Sequence, residues 1–222
     1  MKYQQKGFTL VEIAIVLVII GLLLGGVLKG QELINSAKVK NIAADFKNVQ
    51  VAIYGYQDKF KRLPGDDSSA STNVQSPFNG NHSGSIQGAW NEKSITGDAT
   101  KDESVYFWDH VRRANLLSGA TIPAGASDAS SMMPSNAEGG RIGVSSTKPI
   151  KDMNGGTFYM CSDGIDGKYA RQVDLTLDDG TPYQGSVMAV AQDSSGVSKA
   201  DGSSSAAEKF VDGTRYTVCM TF

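Results

Sequence analysis

A chain of 222 residues with a formal charge of −2 has room for one ordinary domain plus an anchor, and nothing in its length requires a second core. Its 21 basic residues are spread along the chain against 23 acidic ones, so no basic stripe marks it for nucleic acid. Gly is frequent, at 25 residues, and Ser, Asp and Asn crowd the chain after Pro64, a composition of turns and long loops between short strands.

Residues 8–28 carry a single charge, Glu12, and are long enough to cross a hydrocarbon core as a helix. Lys2 and Lys6 precede this run, so the positive-inside rule keeps residues 1–7 cytoplasmic and sends the C-terminus across. No Ala-x-Ala site follows Leu28, which argues for a retained anchor over a cleaved secretory signal. A carboxylate at the centre of a membrane span costs about 2.5–3.5 kcal/mol, so Glu12 calls for a partner. A plainer role is also open to it, capping the positive end of the helix.

Helical periodicity continues beyond the apolar run. Val39, Ile42, Phe46, Val49, Ile53, Tyr56 and Phe60 recur at steps of three and four, predicting one helix from Phe8 to about Arg62, stopped by "LPGDD". Its stripe suits a coiled coil or a sheet, and the strand-rich sequence downstream favours the sheet. Gly21, Gly25, Gly26 and Gly30 either soften this helix or let neighbouring helices approach closely.

From Gly65 to Trp90 the sequence has no sustained period and reads as a long loop. Residues 102–119 predict a short amphipathic helix capped by Gly119, with His110 a satisfied interface residue in preference to a catalyst. Residues 118–148 return to loop composition. Strands are predicted at 157–161, 168–177, 185–191 and 215–222, with "DDGTPYQG" turning the second into the third as an antiparallel hairpin.

Cys161 and Cys219 both fall in the part expected to be translocated, and an even count in an oxidising compartment suggests one disulfide; two buried thiols are the alternative. "SSTK" at 145–148 lacks the companion motifs of a Ser-x-x-Lys enzyme, and no GxSxG, HExxH or Walker sequence is present. No catalytic residue is therefore assigned. In "DGIDG", Asp163 and Asp166, with Asp174, Asp178 and Asp179 downstream, offer oxygen ligands for calcium without EF-hand spacing; turn residues are the other reading, and no cofactor is otherwise expected.

The stretch "KGFTLVEIAIVLVIIGLLLGG" resembles the type IV pilin and pseudopilin signature: a short basic leader, a Gly-Phe junction, "TLVE" and a retained apolar helix. The segments "YQDKFKRLPGDD", "FWDHVRRANLL" and "VDLTLDDGTPYQGSV" look like others found in prepilin-like proteins, a softer match, and the cysteine pair resembles the disulfide-bounded region of many pilins. The resemblance implies an α+β fold, with the long N-terminal helix packed on a C-terminal antiparallel sheet. It also implies cleavage by a prepilin peptidase between Gly7 and Phe8, N-methylation of Phe8, and pairing of Glu12 with the new Phe8 amine of a neighbouring subunit. The chain then divides into a leader (1–7), a transmembrane and filament-core helix (8–28), its amphipathic continuation (29–63) and a globular head (64–222).

By the same resemblance the protein is a non-enzymatic filament subunit of a bacterial inner membrane, single-pass and N-terminus inside, later part of a periplasmic or surface fibre. Its partners would be other pilin subunits, the peptidase, the membrane, and an assembly platform with its ATPase. The alternatives are a type II secretion pseudopilin and, from another class, a membrane-anchored periplasmic binding module that never polymerises.

Overall fold

The structure, a computed structural model, describes residues 7–193 and 196–222; residues 1–6, the bulk of the expected leader, lie outside the described residues. The chain divides into two compact units, Met1–Ala37 and Lys38–Phe222. Helix α1, Leu10–Phe60, begins in the first and ends in the second.

In the first unit, every residue from Leu10 to Leu28 is exposed. Mean hydropathy reaches 2.8 over an 18-residue window, none of which is buried within the chain. A helix apolar on all sides needs lipid or other apolar helices around it, because its side chains have no polar face to offer water. The helix runs through Gly21, Gly25, Gly26 and Gly30 without a break, with open space around each.

In the second unit, α1 buries the predicted stripe: Val39, Ile42, Phe46, Val49, Ile53 and Tyr56. Burial of a large aliphatic or aromatic side chain is worth about 1.5–3 kcal/mol, so this stripe dominates what holds the segment down. Lys38 adds an ion pair from its Nζ to Glu138 Oε1 at 2.6 Å. The helix stops where Lys61 turns left-handed, at φ 56°, three residues ahead of Pro64.

Four strands, β1 (Ile142–Ser145), β2 (Tyr159–Asp166), β3 (Val187–Ala191) and β4 (Arg215–Thr221), form one antiparallel sheet in the order β1-β2-β4-β3. Alternation puts Met160, Val187, Ala189, Tyr216, Val218 and Met220 into the core shared with α1. The opposite face is also covered: Tyr159, Cys161, Met188, Val190 and Cys219 pack with Trp90, Ile150, Met153 and Ala200 from the loops. The architecture is α+β, with a sheet buried on both sides.

Two expectations are overturned here. Residues 168–177 belong to helix α4, Gly167–Leu177, so no hairpin joins them to β3. Val173, Leu175 and Leu177 alternate like a strand, but Tyr169, Ala170, Val173 and Asp174 share the buried helical face while Leu175 stays 60% exposed. The Asp166 carboxylate, accepting from Lys168 N–H, starts the helix. Second, "RIGVSS", read as loop, supplies β1, a four-residue strand whose Gly143 faces the Trp90 carbonyl so closely that any Cβ would collide with it.

Helix α3, Ala99–Arg113, starts at an Asp98 cap, and Asn115, left-handed at φ 59°, follows its end in place of the expected Gly119. It is buried from Asp102 to Arg112, because the 65–98 loop, with the four-residue helix α2 (Ala70–Asn73) inside it, wraps its polar face. Carboxylates organise that loop. Asp66 accepts from Ser83 and Gly84 N–H, Glu103 from Asn81 and Gln87 N–H, and Asp67 from Ser69 N–H and the Tyr56 hydroxyl.

Candidate functional site

Gly7, Phe8 and Thr9 precede α1 as irregular backbone, and Phe8 is 83% exposed. The Gly7–Phe8 peptide therefore sits just ahead of the helix, where a peptidase meets no hydrogen-bonded turn to unwind. Leu10 opens the helix, and its first turn is closed reciprocally. Glu12 Oε2 accepts from the Thr9 N–H at 2.8 Å and the Thr9 hydroxyl at 2.8 Å, while the Glu12 N–H donates to Thr9 Oγ1 at 3.2 Å. This is a capping box, Thr-x-x-Glu, in which each residue satisfies backbone the other leaves orphaned. Thr9 is the functional neighbour that the sequence reading passed over, although "TLVE" spells the box.

Glu12 thus performs the plainer of the two roles open to it in this chain. Magnitudes bear on whether that role suffices. A capping residue is worth about 0.5–2 kcal/mol, whereas a carboxylate in a bilayer centre costs about 2.5–3.5 kcal/mol. The box offsets only part of the cost of carrying the charge into an apolar run.

Cys161 and Cys219 face each other across β2 and β4 and form a disulfide, with 4.1 Å between their Cα atoms. Both are fully buried in the loop-covered core. His110 has both ring nitrogens engaged: Gly65 N–H donates to Nδ1 at 2.9 Å, so Nε2 carries the proton and donates to the Phe78 carbonyl at 2.9 Å. Burial holds its pKa below the usual histidine range, and the neutral ring is a structural link from α3 to the loop.

Asp163 and Asp166 each hold backbone at a turn. Asp163 accepts from the Arg141 N–H and Asp166 caps α4. The acidic residues that do converge among the described residues are Asp174, Asp178 and Asp179.

The prokaryotic N-terminal methylation motif matches residues 2–28. The chain carries the type IV pilin and pseudopilin signature. The match covers the junction, the capping box and the whole apolar run, and among the described residues one helix, α1, is long and apolar enough to cross a membrane. No curated protein and no solved structure matches the chain.

Proposed function

We propose that the protein is a structural subunit of a type IV pilus-like filament, stored in the inner membrane with residues 1–7 cytoplasmic and drawn into the fibre after its leader is cut. The observation that carries this reading is the coincidence, within one methylation motif, of the Gly7–Phe8 junction and Glu12. A static anchor needs neither. Cleavage after Gly7 creates an ammonium at Phe8, four residues ahead of Glu12. In a filament core built from helices that are apolar all round, that amine on a neighbouring subunit is the cation the carboxylate lacks, and pairing removes most of the cost of burying either charge. The exposed apolar surface of residues 10–28 would then exchange lipid for other copies of itself.

The disulfide supports a pilus over a secretion pseudopilus, because a crosslink tying the C-terminal strand to the sheet suits a subunit under tension outside the cell. Sheared surface fibres, probed for this chain, test the proposal. Intact mass of the fibre subunit should lack residues 1–7 and carry one added methyl. Absence of the chain from fibres, with the mature form found only in a secretion pseudopilus or only in the membrane, would overturn it.

A further inference from the structure

The sequence holds two Asn-Gly pairs, Asn79–Gly80 and Asn154–Gly155, and the fold treats them oppositely. Gly80 N–H donates to the Asp67 carbonyl at 3.0 Å, and a Cβ at Gly80 would stand 2.3 Å from the Gly65 carbonyl oxygen, so this backbone is locked in place. The Asn79 side chain is held as well, its Oδ1 accepting from Ser71 N–H at 2.9 Å. Asn154 and Gly155, by contrast, lie exposed in the loop between β1 and β2. Open space surrounds the position a Gly155 Cβ would take, and among the described residues the Gly155 N–H meets no acceptor. With no side chain to shield it, such an amide nitrogen is an unhindered nucleophile once its proton is lost.

The Asn154 amide is polarised by its neighbours. Lys148 Nζ donates to Asn154 Oδ1 at 2.9 Å, and Asn154 Nδ2 donates to the Asp152 carbonyl at 3.0 Å. An ammonium only donates and a carbonyl only accepts, so these two contacts fix which end of the amide is oxygen. The ammonium draws electron density from Cγ and stands where negative charge develops when a nucleophile adds to that carbon. The loop is also pinned on both sides of the exposed pair. Met153 is fully buried in the loop-covered core, and Gly156 lies so close to Thr221 that a Cβ there would collide with Oγ1.

We propose that Asn154 is a site of spontaneous deamidation, assisted by Lys148, which turns a neutral amide into a carboxylate beside that lysine. The Gly155 nitrogen, its proton lost to hydroxide, adds to Cγ of Asn154, and the charge that builds on Oδ1 is met by the Lys148 ammonium. The Cγ–Nδ2 bond then breaks, Nδ2 takes a proton from water and leaves as ammonia, and a cyclic succinimide remains. Water opens the ring. Breaking the bond from Gly155 N to Cγ gives aspartate, whereas breaking its bond to the main-chain carbonyl carbon gives isoaspartate, with the main chain running through the side chain. One water is consumed and one ammonia released, with no change of oxidation state. Isoaspartate lengthens the main chain by one atom between Met153 and Gly156. Because both are pinned, the extra atom bears on the entry to β2, where the Thr157 and Phe158 N–H groups donate to the Phe222 carbonyl. The site is independent of the filament reading.

The test ages the full chain in detergent, in mildly alkaline buffer, and follows both Asn-Gly pairs by mass spectrometry of the digest. Amide loss reads as the mass gain of an NH₂-to-OH exchange, and an isoaspartyl methyltransferase labels the isoaspartate fraction. In the folded chain Asn154 should deamidate about tenfold or more faster than Asn79. In denaturant, with the contacts of both pairs gone, the two rates should converge. Lys148→Met keeps an unbranched stem and removes the ammonium. It should slow Asn154 about threefold or more and leave Asn79 unchanged, a smaller effect than that of a buried oxyanion donor because Lys148 reaches Asn154 in water. Lys148→Arg should restore most of the rate. An Asn154 rate no greater than that of Asn79 in the folded chain, a difference that persists in denaturant, or an Asn154 rate in Lys148→Met equal to wild type would overturn the proposal.

Discussion

Thr9 and Glu12 cap each other at the first turn of α1, through three hydrogen bonds of 2.8, 2.8 and 3.2 Å. This lets the charge of Glu12 be separated from its capping. Glutamine serves the same box as glutamate, so Glu12→Gln should keep the helix start and lose only the charge, whereas Glu12→Ala loses both. Thr9→Ala keeps the charge and weakens the cap. If pairing with a neighbour's Phe8 amine sets register, fibre yield at matched membrane levels should fall about tenfold or more for Gln and Ala alike, equivalent to roughly 1.4 kcal/mol per docking step. Thr9→Ala should lose less. Full fibre yield from Glu12→Gln would mean that the filament uses the cap and not the charge.

The Gly7–Phe8 junction yields a second expectation. It lies in irregular backbone ahead of an exposed apolar helix, so a peptidase can reach it without unwinding α1. A bulky residue at position 7, as in Gly7→Leu, should leave full-length precursor in the membrane, seen as a mass that retains residues 1–7 and lacks the added methyl. Normal processing of that variant, or an N-terminus beyond Leu28, would contradict the proposed cut.

Legibility in the sequence followed the length of each pattern. The α1 stripe repeats over more than five turns from Val39 to Phe60, and nothing else produces that period, so the helix was readable nearly to its last residue. The segment 168–177 offers under three turns, and over that span Val173, Leu175 and Leu177 satisfy a period of two as well as Tyr169, Ala170 and Val173 satisfy 3.6. Its Asp166 cap was the deciding signal. Strand β1 holds only two large apolar residues, Ile142 and Val144, around a glycine required by the nearby Trp90 carbonyl, a tertiary constraint that no local pattern carries. Burial of the acids Asp66, Asp67 and Glu103 leaves no trace in composition, because most of their donors are backbone N–H groups of a loop. At the N-terminus everything needed was contiguous, which is why Gly7, Phe8 and Glu12 could be named from one stretch.

The Cys161–Cys219 bridge closes a loop of 58 residues. The chain-entropy account assigns such a crosslink up to roughly 4 kcal/mol, acting on the unfolded chain. Cys219→Ser should lower the stability of the 38–222 unit by up to that amount and leave Cys161 as a free buried thiol. Denaturant titration of the variant against wild type, with and without reductant, checks both points: reductant should shift wild type toward the variant and leave the variant unchanged. Equal midpoints for oxidised wild type and variant would remove the disulfide from the account of stability.

Asp45, on α1, lines a cleft of about 200 Å³ with Asn48, Trp108, Arg112 and Leu117. Burial pushes its carboxyl from 3.8 up to about 6. The one cation in the cleft lining, Arg112, donates from Nη1 to the carbonyls of Ala120 and Met132. A carboxyl whose folded pKa is raised binds its proton more tightly in the folded chain, so its contribution is harmless below pH 4 and becomes a cost as pH rises through about 6. The full shift would correspond to roughly 3 kcal/mol, but Asp45 is only half-buried and solvent screening reduces this to about 1 kcal/mol. Asp45→Asn should therefore stabilise the 38–222 unit by about 1 kcal/mol at pH 8 and by nothing measurable at pH 4. Both tryptophans, Trp90 and Trp108, lie in this unit, so their fluorescence reports its unfolding in the full chain without interference from the apolar helix. Glu103 and Asp174 are also raised, to about 7 and about 6, and titrate in the same direction; subtracting wild type from variant at each pH removes their share. A variant less stable than wild type at pH 8 would mean that the Asp45 carboxylate is ionised to some purpose, held by a partner that the cleft provides.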